Sequence, residues 1–520
     1  TTVKDPSATF IAGKFDNNAG YLSLTVAFFF YISPPPPTTS GPGTLAHVTF
    51  RVKSYGTSNI TLGSKTKLEG DSAGNYYHII DAESQPDHIG HGYFKNIVGP
   101  EPEPRTWTVD DDGPADFHKI QEAINAANLG DTIYVKKGTY YERLIVGRKV
   151  LLIGEDRSTT IIDGNGAGTV VQVEATVFPS VSISGFTIRN SGFGASGLYV
   201  GSSGNNVSHN IVTNNYYGIS LYYSHNNALI GNIVSFNKDI GILLSDSDNN
   251  TLAYNNVSSN GDRGIWLSGS NNNILSSNIF SLNGEGIILG SSSNNSLSGN
   301  EASSNKAVNF DVSGDYLEHF MNYVDASNTV DGKSIYYLIG VTNAVIDAQR
   351  NAGTIYLINC NNITIKDAIL TKNGNGVFLW NTINSRMENL TVSNNTWGIQ
   401  LIYSSSNILT GSTVSSNYHR GIWLRDSSNN VLSGNRVSNN KVGIVVDQSC
   451  NNTFTGNSIL DNLLGGGILL VSHSNNNVLA GNNVSNNGLG GIQLYFSYNN
   501  ALTDNTIINN GRGIGLIKSS

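Results

Sequence analysis

The chain has 520 residues, more than one ordinary compact domain, and only 13% of them are Asp, Glu, Lys or Arg. Its 57 glycines, with many serines and asparagines, favour tight turns and short strands over a helical bundle. The formal net charge is −8 and no basic run occurs, so we expect no nucleic-acid partner. Cys360 and Cys450 show no metal-ligand spacing, so we expect no metal and no other cofactor.

The first hundred residues differ in pattern from the rest. Residues 21–26 and 45–52 alternate apolar and polar side chains between Gly, Pro and Ser breaks, which predicts a small β-sandwich over residues 1–98. Residues 99–106 are proline-rich and predict a stiff linker. The chain lacks an initiator Met or a leader, and its longest apolar run, residues 24–32, is too short to cross a bilayer. We therefore expect a processed or truncated chain without membrane insertion.

A single amphipathic helix is predicted where the second part begins. Apolar residues between Phe117 and Ala127 recur at helical spacing, at Phe117, Ile120, Ala123, Ile124 and Ala127. We expect this helix to cap the first coil of a repetitive β structure and to cover its open strand edges.

A Gly-Ile-x-Leu motif, or a close variant of it, then recurs about every 21 to 24 residues. This period is too short for a propeller blade, and the frame of a leucine-rich repeat is absent. The motif therefore predicts a right-handed parallel β-helix of about 12–14 coils over residues 107–520. Its glycines are Gly218, Gly241, Gly264, Gly286, Gly376, Gly398, Gly421, Gly443, Gly467, Gly491 and Gly513.

Asparagines recur at fixed places in each repeat, for example at Asn249-Asn250, Asn255 and Asn260. Apolar residues alternate between them, so Leu252, Val257, Ile265 and Leu267 are predicted to face the core. In stacked coils each asparagine amide can donate to and accept from its equivalents above and below. The sequence thus predicts buried asparagine ladders at the corners.

The repeat is interrupted once and stops within a motif. Residues 306–353 lack the asparagine pattern, and we expect them to leave the rod and return near Thr354. At the other end, residues 513–517 end in mid-repeat, so we expect either more chain in the precursor or a partner on the bare coil. Cys360 and Cys450 both precede an Asn-Asn pair. We expect them to share a repeat position about four coils apart, roughly 19 Å, too far for a disulfide.

With these motifs in place, residues 107–520 resemble the NosD-type family of right-handed β-helices, a carbohydrate-binding and sugar-hydrolase repeat family of archaeal and bacterial surfaces. Residues 116–124 and 138–142 also resemble the start of pectin methylesterases. Residues 328–337 resemble an insert of archaeal members, and residues 41–52 are similar to late strands of an archaeal cohesin-like domain. Earlier strands of that domain are missing, so dockerin binding is not implied.

Catalytic patterns of pectin-active β-helices are missing beyond Tyr140 and Glu142, so we expect no enzyme. Asp246 and Asp248 are interpreted as solvated corner residues, and residues 110–112, three consecutive aspartates, as a turn rather than a calcium site. Two ion pairs between adjacent coils are predicted. They are Arg263 with Glu285 and Arg425 with Asp447.

Aromatic side chains form the most informative outward pattern. The third position of the motif is predicted to point away from the core, and Phe378, Gln400 and Trp423 occupy it on three consecutive coils. Trp266 and Trp380 add exposed aromatic area. Such a stripe could stack sugar rings or form a protein contact surface, and both interpretations stay open.

The chain also carries many Asn-x-Ser/Thr acceptor triplets, some of which an Asn- and Ser-rich repeat produces by chance. We expect covalent N-glycans on several of them. The acceptors are Asn59, Asn206, Asn249, Asn256, Asn294, Asn362, Asn389, Asn394, Asn451 and Asn483.

Together these patterns predict an extracellular or cell-surface, N-glycosylated structural protein. The incomplete sandwich and the unpaired strand edges of the last coil predict self-assembly into a homo-oligomer or filament. The alternative is a module that binds an extracellular polysaccharide or mediates adhesion through exposed aromatics. A polysaccharide lyase or hydrolase is the third interpretation, which the missing catalytic patterns disfavour.

Overall fold

A computed structural model describes residues 103–519 except 175–179 and 463, together with seven short strands in the first 102 residues. The chain divides into two compact units, Thr1–Glu103 and Pro104–Ser520. Apart from the strands of the first unit, the predicted sandwich lies outside the described residues. The strands of the first unit are Phe15–Asp16, Tyr21–Leu22, Thr49–Arg51, Thr57–Thr61, Leu68–Ser72, Asn75–Ile79 and His91–Lys95.

The second unit is a parallel β-helix, which confirms the predicted fold class. Its first part, the N-terminal stack, runs from Thr106 to Val330, and its second part, the C-terminal stack, from Lys333 to Ile517. Five sheets, named A to E here, line the faces. The longest sheet has 18 strands, which is more than the 12–14 coils that the sequence predicts. The prediction was too low because the early coils and those at the junction lack the motif.

Sheets A and C belong to the N-terminal stack alone. Sheet A has ten strands: Thr106–Val109, Thr132–Val135, Leu151–Gly154, Ser182–Ser184, Asn206–Ser208, Ala228–Ile230, Thr251–Ala253, Ile274–Ser276, Ser296–Ser298 and Tyr323–Val324. Sheet C has eight strands: Leu144–Val146, Val171–Val173, Ser196–Val200, Tyr217–Tyr222, Ile242–Ser245, Arg263–Ser268, Glu285–Gly290 and Val308–Ser313.

Sheet B continues through both stacks. Its strands in the N-terminal stack are Gly138–Tyr140, Thr160–Asp163, Thr187–Arg189, Ile211–Thr213, Ile233–Ser235, Asn256–Ser258, Ile279–Ser281, Glu301–Ser303 and Thr329–Val330. Those in the C-terminal stack are Lys333–Ile339, Ala352–Ile358, Asn375–Trp380, Trp397–Ile402, Arg420–Arg425, Val442–Asp447, Gly466–Val471, Gly490–Tyr495 and Ile514–Ile517.

Sheets D and E complete the C-terminal stack. Sheet D contains Val345–Ile346, Thr364–Lys366, Arg386–Glu388, Ile408–Thr410, Val431–Ser433, Thr453–Thr455, Val478–Ala480 and Ala501–Thr503. Sheet E contains Ile369–Thr371, Thr391–Ser393, Thr413–Ser415, Arg436–Ser438, Ser458–Leu460, Asn483–Ser485 and Thr506–Ile508.

The predicted capping helix spans Ile120–Ala126 and packs on the first strands of sheets A and C. Ile120, Ala123 and Ile124 are buried, as their spacing predicts. The Glu142 carboxylate accepts hydrogen bonds from the backbone N–H groups of Ile120 and Gln121 at 2.8 and 3.0 Å. These are donors that a helix N-terminus leaves unpaired, so Glu142 has a structural partner at the entrance of the rod.

The interior confirms the predicted asparagine ladders. Leu252, Val257, Ile265 and Leu267 are all fully buried in the core. At the corners the Asn255 side-chain Nδ2 donates to the Oδ1 of its equivalent one coil on, at 2.9 Å. Three such columns run along the N-terminal stack. They contain, in turn, Asn205, Asn227, Asn250, Asn273 and Asn295; Asn210, Asn232, Asn255, Asn278 and Asn300; and Asn215, Asn237, Asn260, Asn283 and Asn305.

The two cysteines are free, as predicted, but their shared repeat position is wrong by one residue. The Cys360 backbone N–H donates to Thr382 Oγ1 at 3.2 Å, so Cys360 begins a buried column of hydroxyl side chains. That column continues coil by coil to Ser449, and Cys450 is the residue after it. Cys360 is therefore buried, which raises the pKa of its thiol, whereas Cys450 is partly exposed.

The segment 306–353 does not leave the rod as a whole, because several of its strands pair with the coils. Val308–Ser313, Tyr323–Val324 and Thr329–Val330 add strands to sheets C, A and B. An antiparallel hairpin at Asp331 and Gly332 then starts the C-terminal stack. Both residues have positive φ, 47° and 74°, as the Asp-Gly type I′ turn requires.

Candidate functional site

Two of the predicted outward aromatics are buried, which corrects the expected stripe. Phe378 and Trp380 are only 4% and 8% exposed. The Phe320 ring lies 4.6 Å from the Phe378 ring and 4.9 Å from the Trp380 ring, centroid to centroid. Phe320 ends the short 3-10 helix Leu317–Phe320 of the junction, so this helix covers the face that the motif leaves outward. Phe378 and Trp380 thus stabilise the joint between the stacks.

Trp266 lies on sheet C of the N-terminal stack, apart from that joint. The Arg263 guanidinium lies 4.4 Å above its ring, and Arg263 Nε lies 2.8 Å from Glu285 Oε2. The predicted pair of Arg263 with Glu285 is therefore confirmed. Glu285 therefore neutralises the arginine that lies above Trp266.

Trp423 belongs to a different cluster, which we name the tryptophan–arginine face: Trp397, His419, Arg420 and Trp423. Trp397–Ile402 and Arg420–Arg425 are neighbouring strands of sheet B. A Cβ on Gly398, the motif glycine, would lie 2.7 Å from Val414 in the core, so only glycine fits there. Trp397 before it remains partly exposed.

The rings of this face are stacked. The Trp397 ring lies 5.6 Å from the Trp423 ring and 4.5 Å from the His419 ring, each within 28° of parallel. The Arg420 guanidinium carbon lies 4.1 Å above the Trp423 ring and 5.3 Å from the Trp397 ring. Cation–π contacts of this kind hold an arginine in one orientation while its N–H groups stay available.

The face is positively charged. Within the described part of the chain, no carboxylate lies within 4.0 Å of the Arg420 guanidinium. Burial lowers the pKa of His419, and the positive charges of Lys441 and Arg420 lower it further. Burial also lowers the pKa of Arg420 from its very high normal value. The negative charge of Asp447 opposes this shift in the pKa of Arg420. A partly desolvated cation without a direct ion pair binds an incoming anion more strongly than an exposed one.

Neighbouring polar groups extend the face towards the junction. Gln400 Nε2 donates to Asn375 Oδ1. Asn375 Nδ2 donates to the Tyr356 hydroxyl at 3.2 Å and to Asp311 Oδ1 at 3.3 Å. The indole Nε1–H of Trp423 is buried and has no hydrogen-bond partner among the described residues. It is a donor that an oxygen-rich ligand could satisfy after a small side-chain shift.

The other charged residues singled out in the sequence have structural places. Arg425 and Asp447 are register neighbours, but Arg425 Nε pairs with Asp426 at 3.7 Å, so the predicted pair with Asp447 is wrong. Asp246 is an exposed corner residue with a φ of 48°. Asp248 Oδ2 lies 3.9 Å from His225 Nδ1. Neither acid meets another to form a catalytic pair.

The predicted glycan acceptors separate cleanly from the ladder asparagines. Asn59 lies where side chains are not described. The other nine acceptors are exposed, whereas the ladder asparagines beside them are buried. For example, Asn294 is exposed and Asn295 is fully buried. Corner and strand positions that point outward therefore carry all nine described acceptors.

The fold and these surfaces can now be compared with known proteins. The family model described as "Periplasmic copper-binding protein (NosD)" matches residues 124–327, 321–488 and 465–520, which is more than half of the chain. The chain belongs to the NosD family. Its description places that family in the periplasm, and the family resemblance inferred from the repeats is confirmed. No curated protein sequence matches this NosD-family chain.

Solved structures with similar folds include three enzymes. The A-module of a mannuronan C-5 epimerase from Azotobacter vinelandii is 15% identical, with 77% of this chain and 94% of that chain covered and a TM-score of 0.21. DFA-IIIase from Arthrobacter chlorophenolicus A6 is 13% identical, with 68% and 94% covered and a TM-score of 0.36. An alginate lyase from Paenibacillus is 13% identical, with 80% and 99% covered and a TM-score of 0.22. At these scores the similarities carry no activity over.

The family description names copper, so we tested the metal against the residues present. Copper in proteins takes imidazole, thiolate and thioether ligands. Among the described residues, a group of three His, Cys, Asp or Glu side chains with ligand atoms within 4.8 Å occurs only at Asp110, Asp111 and Asp112. Their carboxylates suit hard cations, and Asp111 Oδ2 already accepts from the Thr139 backbone N–H at 3.2 Å. The described residues therefore do not fit a copper centre.

No helix in the described ranges has the length and hydrophobicity needed to cross a membrane.

Sequence reasoning found Trp423 but missed its partners Trp397, His419 and Arg420. Trp397 and Arg420 both stand directly before a motif glycine, as Arg263 also does. That repeated position was a signal for a second outward column beside the third motif position.

Proposed function

We propose that this NosD-family chain binds an acidic polysaccharide outside the cytoplasm through the tryptophan–arginine face. The observation that carries the proposal is Arg420, which is held over two indoles and has no carboxylate within 4.0 Å among the described residues, although Asp447 acts on it from farther away. A uronate carboxylate can accept two hydrogen bonds from a guanidinium. The apolar face of its sugar ring can pack on an indole.

Binding rather than catalysis is proposed because the face contains no carboxyl pair for hydrolysis. The periplasmic description of the family supports a location where such polymers are met. The net charge of −8 would repel an acidic polymer elsewhere on the surface, so the cationic face also selects the orientation of the bound chain.

Arg420→Gln tests the proposal. Calorimetric titration with polygalacturonate should show binding weakened by about tenfold to a hundredfold, because a hydrogen bond to a charged group contributes about 1.5–3 kcal/mol. Arg436→Gln removes the same charge from an exposed site on sheet E and should bind like the unchanged protein. Equal affinities of the two variants, or equal binding of neutral dextran, would contradict the proposal.

We also propose that the exposed acceptors carry N-glycans, since all nine described ones point to solvent. Peptide mapping by mass spectrometry of the chain made in an N-glycosylating host should find hexose-containing adducts on several of them. Their removal by Asn→Gln substitution at Asn206, Asn256 and Asn483 should leave polygalacturonate binding unchanged. Unmodified asparagine at every acceptor would refute this part.

A further inference from the structure

A cleft of about 570 Å³ lies far along the chain from the tryptophan–arginine face. It follows the corner between sheets B and C over four consecutive coils of the N-terminal stack. Its volume lies within the range of roughly 300–1,000 Å³ that is usual for small-molecule sites. Among its lining residues are Asn165, Asn214, Phe193, Tyr216 and Phe236.

Aromatic rings form the apolar part of the cleft. Phe193 is 91% exposed and Phe236 is 64% exposed. The Phe193 ring meets the Tyr216 ring edge to face with centroids 4.8 Å apart, and Tyr217 supports Tyr216 at the same distance. Two phenylalanine rings so exposed contribute little to the stability of the core. A ligand that covers them would be bound more tightly because it removes their apolar surface from water.

Amide groups form the polar part. The corner backbone is already paired: Asn190 O accepts from Gly166 N at 2.8 Å, and Asn214 O accepts from Asn190 N at 3.2 Å. The exposed side-chain amides of Asn165 and Asn214 make no hydrogen bond within the described residues. An amide offers both donor and acceptor, which matches a hydroxyl group.

The lining of the cleft is almost free of charge, since ten of its eleven residues are uncharged. Arg189 Nε lies 2.8 Å from Asp163 Oδ2, so this pair is internally neutral. Lys238 is the one cation in the lining, and no carboxylate lies within 4.0 Å of it in the described part of the chain. The cleft therefore favours a ligand without charge.

We propose that this cleft binds a neutral oligosaccharide, with sugar rings packed on Phe193 and Phe236 and hydroxyl groups bonded to the amides of Asn165 and Asn214. Hydroxyl-rich rings with an apolar face match this combination of aromatic rings and amides. The site is separate from the acidic-polysaccharide site, and neither proposal depends on the other.

The test uses the full chain and four neutral probes: cellohexaose, maltohexaose, mannohexaose and xylohexaose. Titration by saturation-transfer NMR and calorimetry should detect at least one of them at millimolar concentration or below. The double variant Phe193→Ala and Phe236→Ala should weaken that binding at least tenfold. Both side chains are exposed, so the variant should keep the circular dichroism of the unchanged protein.

Two controls separate the possible outcomes. Tyr254→Ala removes a 69% exposed aromatic from the corner between sheets A and B and should bind normally. Tyr254 has a left-handed backbone, φ 57°, like that of Phe236, φ 56°. Arg420→Gln should also bind the neutral probe normally, which would show that the two sites are distinct. Binding of none of the four probes, or equal binding by the double variant and Tyr254→Ala, would overturn the proposal.

Discussion

Replacing Asn255 by alanine is expected to lower the free energy of unfolding of the rod by about 3–5 kcal/mol. The Asn255 side chain donates to Leu229 O at 2.8 Å and to Asn278 Oδ1 at 2.9 Å. It also accepts from the backbone N–H and the Nδ2 of Asn232, both at 3.0 Å. Alanine would leave several of these buried groups unpaired, at about 1–3 kcal/mol each.

The adjacent residue supplies the control. Asn256 is exposed on sheet B, so Asn256→Ala should change stability by no more than about 0.5 kcal/mol. The measurement is unfolding in guanidinium chloride, monitored by circular dichroism. It gives the denaturant concentration of the first unfolding transition for each variant. If Asn255→Ala and Asn256→Ala unfold at the same denaturant concentration, the ladder does not stabilise the rod in the way we describe.

Asp311→Asn is expected to stabilise the protein at alkaline pH. Asp311 is partly buried at the junction, and burial raises its pKa to about 7, with the charge of Glu285 adding to the shift. Hydrogen bonds from Tyr356 and Asn375 oppose the shift. The folded protein thus keeps a proton that the unfolded chain releases near its normal pKa of 3.8. The free energy of unfolding therefore falls as the pH rises from about 4 to about 7.

A shift of about three pKa units corresponds to about 4 kcal/mol, and partial solvent screening reduces the expected effect to about 2 kcal/mol. Asn keeps the acceptor for Tyr356 without the charge, so Asp311→Asn should gain about 2 kcal/mol at pH 8 and little at pH 4. Asp246→Asn, an exposed corner variant, should show no such difference. Thermal unfolding at pH 4, 6 and 8 measures all three proteins. A loss of stability of Asp311→Asn at pH 8 would contradict the argument.

Local periodicity made much of the rod predictable. Inward residues such as Val257 and ladder asparagines such as Asn255 repeat at a fixed spacing, and in a parallel stack each residue contacts its own equivalents. Register errors came from single-residue shifts. Cys360 and Cys450 both precede an Asn-Asn pair, yet their repeat positions differ by one residue. The reason is that Ile363 occupies the column position that asparagine takes from Asn407 onward.

The repeat pattern does not predict contacts between residues that are far apart in the sequence. The burial of Phe378 depends on Phe320, which the junction brings onto its outer face. The cleft was missed because Phe193 and Phe236 occupy corner residues whose spacing varies from coil to coil. Self-assembly into a filament and an absence of enzymatic activity stay predictions.

The most direct measurement is the structure of a crystal soaked with an oligogalacturonate. The account predicts a sugar ring on the tryptophan–arginine face, with a uronate carboxylate oxygen within about 3 Å of the Arg420 guanidinium. Oligogalacturonate bound at another surface of the rod, with the Arg420 guanidinium left untouched, would contradict it.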